Sequence, residues 1–277
     1  MTTFNIRTSD ISEDYEERTW SHRRAGVYSW INTNQPAILC AQEVMSDQRS
    51  DILGNCPGYA AVYDGSSISW IDEHLYNLSN ADVATFYKTS EVSIQSSGVF
   101  FLVDGAPASP ARSSEQNNVR ACAWMKCTYK GQKMLVLNAH LSYRTKNNSE
   151  VGSDDVIALR QTEMGVIETW IDEHYNPSTD GFLLFMGDMN TSHWEAIFDV
   201  WKDGTYGYFA RATAETTATG KTYNHWDSDP DKMGTIDYQF YKGFPSVKTY
   251  SIDKGTYAGV EYLSDHWPVT AEYRLPL

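Results

Sequence analysis

The segment Ser264-Asp265-His266-Trp267 stands immediately before Pro268 and a strand-like run, Val269 to Tyr273. A carboxylate beside an imidazole at the mouth of a strand is a proton-handling pair placed on a sheet rim. Three other strand-like runs end in side chains of the same kind. Ile38 to Ala41 leads into Gln42-Glu43, Met134 to Leu137 into Asn138-Ala139-His140, and Phe182 to Met186 into Gly187-Asp188-Met189-Asn190. The chain opens on one more, Thr3-Phe4-Asn5-Ile6-Arg7.

Taken singly, each residue has a plain reading. Glu43 suits a solvated rim acid, Asp188 and Asn190 a turn with a helix cap, and His140 a satisfied core imidazole. Taken together they suit phosphate-ester hydrolysis, which needs charge neutralised on the phosphoryl oxygens, an oriented water and a stabilised leaving oxygen. A hard divalent ion takes oxygen ligands and needs only one or two protein carboxylates, for which Glu43 is the best single candidate. His266 needs a carboxylate on its second ring nitrogen to orient it. Asp237, in Ile236-Asp237-Tyr238, is the candidate, because an acid inside a strand is costly without a partner.

These residues need strands to carry them and helices to cover the strands. Apolar spacing predicts a helix over Ser21 to Asn32 with Ala25, Val27, Trp30 and Ile31 inward, and another from an N-cap at Ser46 to near Gly54. The longest starts near Ser153 and breaks at Pro177. A short one follows Asn190, capped by Thr191 or Ser192, with Trp194, Ile197, Phe198 and Trp201 inward. Lys130-Gly131-Gln132 reads as the turn of a hairpin between Val119–Tyr129 and Lys133–Leu141; Val83–Tyr87 and Val92–Val103 read as a second pair. Helices near both ends with strand pairs between them predict an α+β fold of largely antiparallel sheets with helices outside, in a single domain over 1–277. Gly65 to Ala81, Asp104 to Asn118 and Gly204 to Gly234 read as the loops that choose substrate.

Net charge is −14, so no broad basic face exists to hold nucleic acid, and no stable nucleic-acid complex is expected. A cation-filled site can still bind phosphate inside an acidic protein. The four cysteines lack C-x-x-C spacing, and Cys122 and Cys127, at odd separation in one strand, point to opposite faces. No apolar run reaches the roughly 20 residues a membrane span needs. A soluble monomer is expected. Met1 runs straight into the first strand, and a secreted or periplasmic location is compatible with the chain if a leader has been removed.

In their order, Phe4-Asn5-Ile6-Arg7, Gln42-Glu43-Val44, Asn138-Ala139-His140-Leu141, Gly187-Asp188-Met189-Asn190, Ile236-Asp237-Tyr238 and Ser264-Asp265-His266-Trp267-Pro268 resemble the motifs of the endonuclease/exonuclease/phosphatase superfamily. That superfamily includes deoxyribonuclease I, AP endonucleases, sphingomyelinases and inositol polyphosphate 5-phosphatases. The resemblance runs from residue 3 to residue 273, and Arg120-Ala121-Cys122-Ala123-Trp124 adds an Arg-x-x-x-Trp strand. It implies a four-layer sandwich of two packed sheets with helices outside each. It also implies roles: Glu43 holding Mg²⁺ or Mn²⁺ with Asn5 and Asp265 close by, Asp188 acting on the attacking water, Asn190 and His140 on the phosphate, and His266, aligned by Asp237, as acid/base or charge stabiliser. Arg120, Tyr143, Tyr223 and Trp226 are the expected substrate contacts. Two departures bear on substrate. Ser142-Tyr143 replaces the Asp-His that follows this histidine motif in many phosphatases, and Met45 occupies the position of the groove-reading Arg of deoxyribonuclease I. A metal-dependent phosphoesterase acting on a small or lipid-like ester is therefore expected. The alternatives are a metal-dependent endonuclease or exonuclease, a glycosidase using Glu43 and Asp188 as paired carboxylates, and a silent binding module.

Overall fold

The computed structural model describes residues 1–9, 16–62, 83–105, 116, 119–145, 147, 153–192, 196–227 and 234–276. In chain order the elements are β1 (Thr2–Asn5), α1 (Trp20–Asn34), β2 (Ile38–Gln42), α2 (Ser46–Asn55), β3 (Tyr59–Ala61), β4 (Val83–Lys88), β5 (Val92–Phe101), β6 (Ala121–Tyr129) and β7 (Gln132–His140). They continue with α3 (Asp154–His174), α4 (Pro177–Asp180), β8 (Phe182–Asp188), α5 (Asp199–Lys202), β9 (Tyr208–Phe209), α6 (Ala210–Thr213), β10 (Ala214–Thr217), β11 (Asp237–Lys242), β12 (Val247–Ile252) and β13 (Val269–Tyr273). One sheet has the order β10-β12-β13-β1-β2-β4-β3 and the other β5-β6-β7-β8-β11-β9. The pairs β1–β2, β10–β12 and β7–β8 are parallel and the other pairs antiparallel.

Strand period sorts the side chains into layers. In β8, Leu183 and Phe185 face the helix side with Met164, Ile167 and Ile171 of α3, whereas Phe182, Leu184 and Met186 join the core between the sheets. The strand is buried on both faces and reads as an unbroken apolar run for that reason. On the opposite side, Val27, Trp30 and Ile31 of α1 and Ile52 of α2 cover Phe4, Leu39 and Phe86 of the first sheet. The result is an α/β/β/α sandwich.

Several sequence expectations are corrected. Val83–Tyr87 and Val92–Val103 are not a hairpin: β4 lies between β2 and β3 in one sheet, and β5 is an edge strand of the other. Alternation along a strand reports its burial and says nothing of its partner. Ala25 is exposed, and Gly26 and the guanidinium of Arg23 face inward in its stead. A methyl group on Gly26 would lie 2.6 Å from the Leu263 side chain, so only glycine lets α1 approach the loop before Asp265 this closely. The α2 cap position is Met45, whose N–H donates to Gln48 Oε1 at 2.9 Å. After Asn190 the described residues show helical turns at Ala196–Phe198 and Asp199–Lys202, in which Ile197, Phe198 and Trp201 are buried as expected; residues 193–195, Trp194 among them, lie outside the described residues. The hairpin β6–β7 forms with Lys130 (φ 48°) and Gly131 (φ 79°) as its two turn residues, both left-handed as a tight hairpin turn requires.

The sheets are bolted together by polar groups at one end. Asn138 of β7 donates to the carbonyls of Ala41 (3.0 Å) and Ala84 (3.2 Å) across the interlayer, and accepts from Gln42 Nε2 at 2.7 Å. Gln42 in turn donates to Cys40 O and Thr3 Oγ1. Replacing Asn138 by Leu strips two buried carbonyls and one buried amide of partners, and should lower unfolding free energy by about 2–4 kcal/mol. Urea denaturation of N138L checks this; a loss below about 0.5 kcal/mol would show that water or relaxation replaces those bonds.

Candidate active site

Four strands, β1, β2, β7 and β8, run out at the end of the sandwich where β11 and β13 begin. Register then places His140, Asp188 and Asp237 side by side in one row of the second sheet, since His140 pairs with Asp188 and Asp188 with Asp237. Asn5 ends β1 opposite Gln42, which puts Glu43 one residue further. Residue 266 enters this row through a bridge to Tyr223.

His266 Nδ1 lies 2.9 Å from Asp237 Oδ2 and 3.1 Å from Oδ1, and its Nε2 lies 3.7 Å from Asp188 Oδ2. All three side chains are buried. Thr222 Oγ1 accepts the main-chain N–H groups of Ile236 and Asp237 and so fixes the carboxylate that orients the ring. Burial alone would lower the His266 pKa, but the carboxylates of Asp237 and Asp188 outweigh it and push it up to about 10. Asp188 is pushed up, by burial first and by the charge of Asp237 second, with both histidines opposing.

Beside this row lies an acidic rim. Asn5 Nδ2 donates to Glu43 Oε1 and to Asp188 Oδ2, each at 3.0 Å, while Asn5 Oδ1 accepts the Arg7 N–H. Glu43 Oε2 accepts the Thr8 N–H at 3.1 Å. Asp265 accepts from Ser264 Oγ and sits 3.5 Å from Arg7 NH1; burial raises its pKa, as does the charge of Glu43, against the pull of His266 and Arg7. Arg7 (φ 58°), Glu43 (φ 57°) and Asn190 (φ 50°) are all left-handed without being glycine, strain that persists only where surrounding contacts hold it. Asn190 Nδ2 donates to His140 Nε2 (2.8 Å) and Leu141 O (2.9 Å), so it orients the imidazole, which lies 3.6 Å from Asp188.

A divalent cation fits this donor set, because buried acids crowded enough to raise one another's proton affinity are stabilised by positive charge. Among the described residues, Asp188, Asp237 and His266 offer ligand atoms within 4.8 Å of one another. Asp237 and His266 already satisfy each other as an ion pair, and the carboxylates of Glu43, Asp188 and Asp265 lie beside them.

The sequence matches the Endonuclease/Exonuclease/phosphatase family over residues 2–266. The chain belongs to this family. Its fold resembles that of an endonuclease/exonuclease/phosphatase family protein from Bacteroides thetaiotaomicron at 20% identity, with 100% of this chain and 97% of that one covered and a TM-score of 0.83. A mannosyl-6-phosphatase from Bacteroides thetaiotaomicron VPI-5482 aligns at 19% identity over 99% and 98% of the two chains with a TM-score of 0.80. Danio rerio TDP2, complexed with a single-strand DNA product, aligns at 16% over 99% and 98% with a TM-score of 0.65. No curated protein sequence matches the chain. Among the described residues no helix is long and apolar enough to cross a membrane.

Within this family framework the expected substrate residues separate. The Tyr223 ring lies 4.9 Å from that of His266, and Tyr143 is half-buried under the Arg144 guanidinium. Trp226 lines a groove of about 460 Å³ with Glu16, Arg18, His22 and Tyr262. Arg120, by contrast, is buried beside Glu163, whose carboxylate accepts from Ser142 N, Ser142 Oγ and Gln116 Nε2. Arg120 thus lies within electrostatic reach of the carboxylate that anchors Ser142. All of Gly65 to Ala81 and most of Asp104 to Asn118 lie outside the described residues. Sequence reading missed Arg23, Thr222 and Glu163, since a buried polar residue breaks apolar spacing and resembles a surface one.

A histidine whose folded pKa exceeds its unfolded value of 6.5 contributes stability in full below pH 6.5 and loses it as pH rises through about 10. In metal-free protein, ¹⁵N NMR should show the His266 ring protonated at pH 8. Asp237→Asn removes the largest raising influence and should bring the midpoint down by at least about one unit. An unshifted midpoint would show that the pair does not govern this proton.

Proposed function

We propose that the protein is a divalent-metal-dependent phosphoesterase that hydrolyses a phosphate ester on a small or lipid-like molecule in preference to polymeric DNA. The observation that carries this reading is the Asp237–His266 pair directed at Asp188, a fixed positive charge 3.7 Å from a carboxylate whose proton affinity is raised. In the attack of water on phosphorus, Asp188 orients the water and takes its proton, a task for which a raised carboxylate pKa is an advantage. The His266 imidazolium offsets charge that develops on the phosphoryl oxygens, and Asp237 keeps the ring protonated and aligned. His140, oriented by Asn190, contributes a second imidazole beside the same carboxylate. Mg²⁺ or Mn²⁺ held by Glu43 and Asp265 would neutralise the phosphoryl group and stabilise the leaving oxygen.

A small substrate is favoured by three observations. Net charge is −14, Met45 stands where deoxyribonuclease I has a groove-reading Arg, and the mannosyl-6-phosphatase superposes with a TM-score of 0.80 against 0.65 for the DNA-bound TDP2. Membership in a phosphoesterase family weighs against the glycosidase reading, and the assembled dyad weighs against a silent module.

Hydrolysis of small phosphate esters, sugar phosphates included, should vanish in EDTA and return with Mg²⁺ or Mn²⁺. Full activity in EDTA after exhaustive dialysis would reject the metal. Asp188→Asn and His266→Ala should each lower kcat by at least about 10²-fold while the folded fraction stays constant. Plasmid nicking at physiological salt faster than every small ester would reverse the substrate assignment.

A further inference from the structure

Arg23 is charged, lies on a helix, and is 0% exposed. Burying a guanidinium is costly unless its N–H groups are satisfied, and here main-chain carbonyls satisfy them. Nε donates to Arg18 O at 2.7 Å, NH1 to both Ile6 O and Leu263 O at 2.7 Å, and NH2 to Arg7 O at 3.0 Å. Its guanidinium carbon also sits 5.6 Å from the Trp20 ring and 5.5 Å from the Trp226 ring.

The identity of those carbonyls matters more than their number. Ile6 and Arg7 follow Asn5, whose amide donates to Glu43 and Asp188; Leu263 is two residues before Asp265. The two segments lie at opposite ends of the chain, and one planar fork spans both. Arg7 is held left-handed with its N–H on Asn5 Oδ1, and its carbonyl is shared by Arg23 and Gln48 Nε2. Any rotation of the Ile6–Arg7 peptides therefore turns the Asn5 amide. On the other segment, the carbonyls of Ser264 and Asp265 receive Asn224 Nδ2 and the N–H groups of Asn224 and His225, which lead directly into Trp226. The indole that Arg23 faces thus belongs to the loop that grips the Asp265 main chain.

We propose that Arg23 is the positioning residue of the acidic rim: its guanidinium sets the distance between the Asn5 and Asp265 segments, and with it the rim's affinity for a divalent cation, while seating Trp226 at the edge of the adjoining groove. This rests on the proposed assignment of Glu43 and Asp265 as the residues that hold the cation. Arg23 touches neither substrate nor cation. A lysine keeps the charge but cannot span four carbonyls, since its ammonium is a single point with three donors.

The test uses the full chain and Mn²⁺ alone, with binding followed by electron paramagnetic resonance of free Mn²⁺, on wild type, Arg23→Lys, Arg23→Gln and Trp30→Phe. Trp30 is a control from the same helix: it packs on Phe4 and donates to Asp253 Oδ2, with no bond to a carbonyl of the Ile6–Arg7 or Leu263 segments among those described. Folding of each variant is checked by circular dichroism and melting temperature. Both Arg23 variants should raise the Mn²⁺ Kd by at least about 10-fold, as outer partners of metal ligands do. Trp30→Phe should lower the melting temperature and leave Kd unchanged. In turnover, the Arg23 variants should raise the Mg²⁺ activation constant while kcat at saturating metal stays within about 3-fold. Wild-type Mn²⁺ affinity in either folded Arg23 variant would reduce Arg23 to a structural residue and overturn the proposal. Absence of Mn²⁺ binding in wild type would instead overturn the cation site, and the proposal with it.

Discussion

Asp188, Asp237 and Asp265 are 1%, 0% and 4% exposed and share one rim of the sandwich. Buried negative charge at this density is the constraint to which everything around it answers. Without compensation such acids would take up protons. The compensation comes from His266 between two of them, from the Asn5 amide bracketing Glu43 and Asp188, and from Arg7 and Arg23 beside Asp265. Asn5 and Arg23 are themselves fixed by main-chain bonds and His266 by Asp237, so these charges are held before any ligand arrives. Preorganised charge of that kind is what stabilises a transition state without reorganisation cost.

Topology brings the groups together. The parallel pairs β1–β2 and β7–β8 deliver four strand ends to one side, and antiparallel β11 and β13 start there, so six short segments converge without a long loop. The interlayer bonds of Asn138 and Gln42 then hold one sheet's donors against the other's. His140 lies two residues beyond Asn138 and Glu43 one beyond Gln42, so the bolt between the layers is also the foundation of the site.

Much of this was legible from sequence. Apolar runs leading into Glu43, His140 and Asp188 marked the strands and the polar residues at their ends, because a strand buried on both faces shows itself as an unbroken apolar stretch. The Asp237–His266 pair followed from the cost of burying a strand acid alone. What escaped was pairing and polar support. Nothing in Val83–Tyr87 says that it joins β2 and not the strand after it, since side-chain alternation is blind to partners. Ala25 was expected inward on α1, where Arg23 and Gly26 are buried and Ala25 is exposed. Arg120, expected as a substrate contact, is buried beside Glu163. Asn190, expected on the phosphate, donates to His140 Nε2 and Leu141 O, a support that no spacing in the sequence announces. In each case the deciding contact comes from a segment far off in sequence.

The central claim is that Asp237 and His266 act as a charged pair while the cation sits on the acidic rim. Anomalous diffraction from crystals soaked in Mn²⁺ separates the two donor sets directly. The account predicts an anomalous peak bounded by the carboxylates of Glu43 and Asp265, with His266 Nδ1 still hydrogen-bonded to Asp237. A peak ligated by Asp237 and His266, with their hydrogen bond broken, would contradict it.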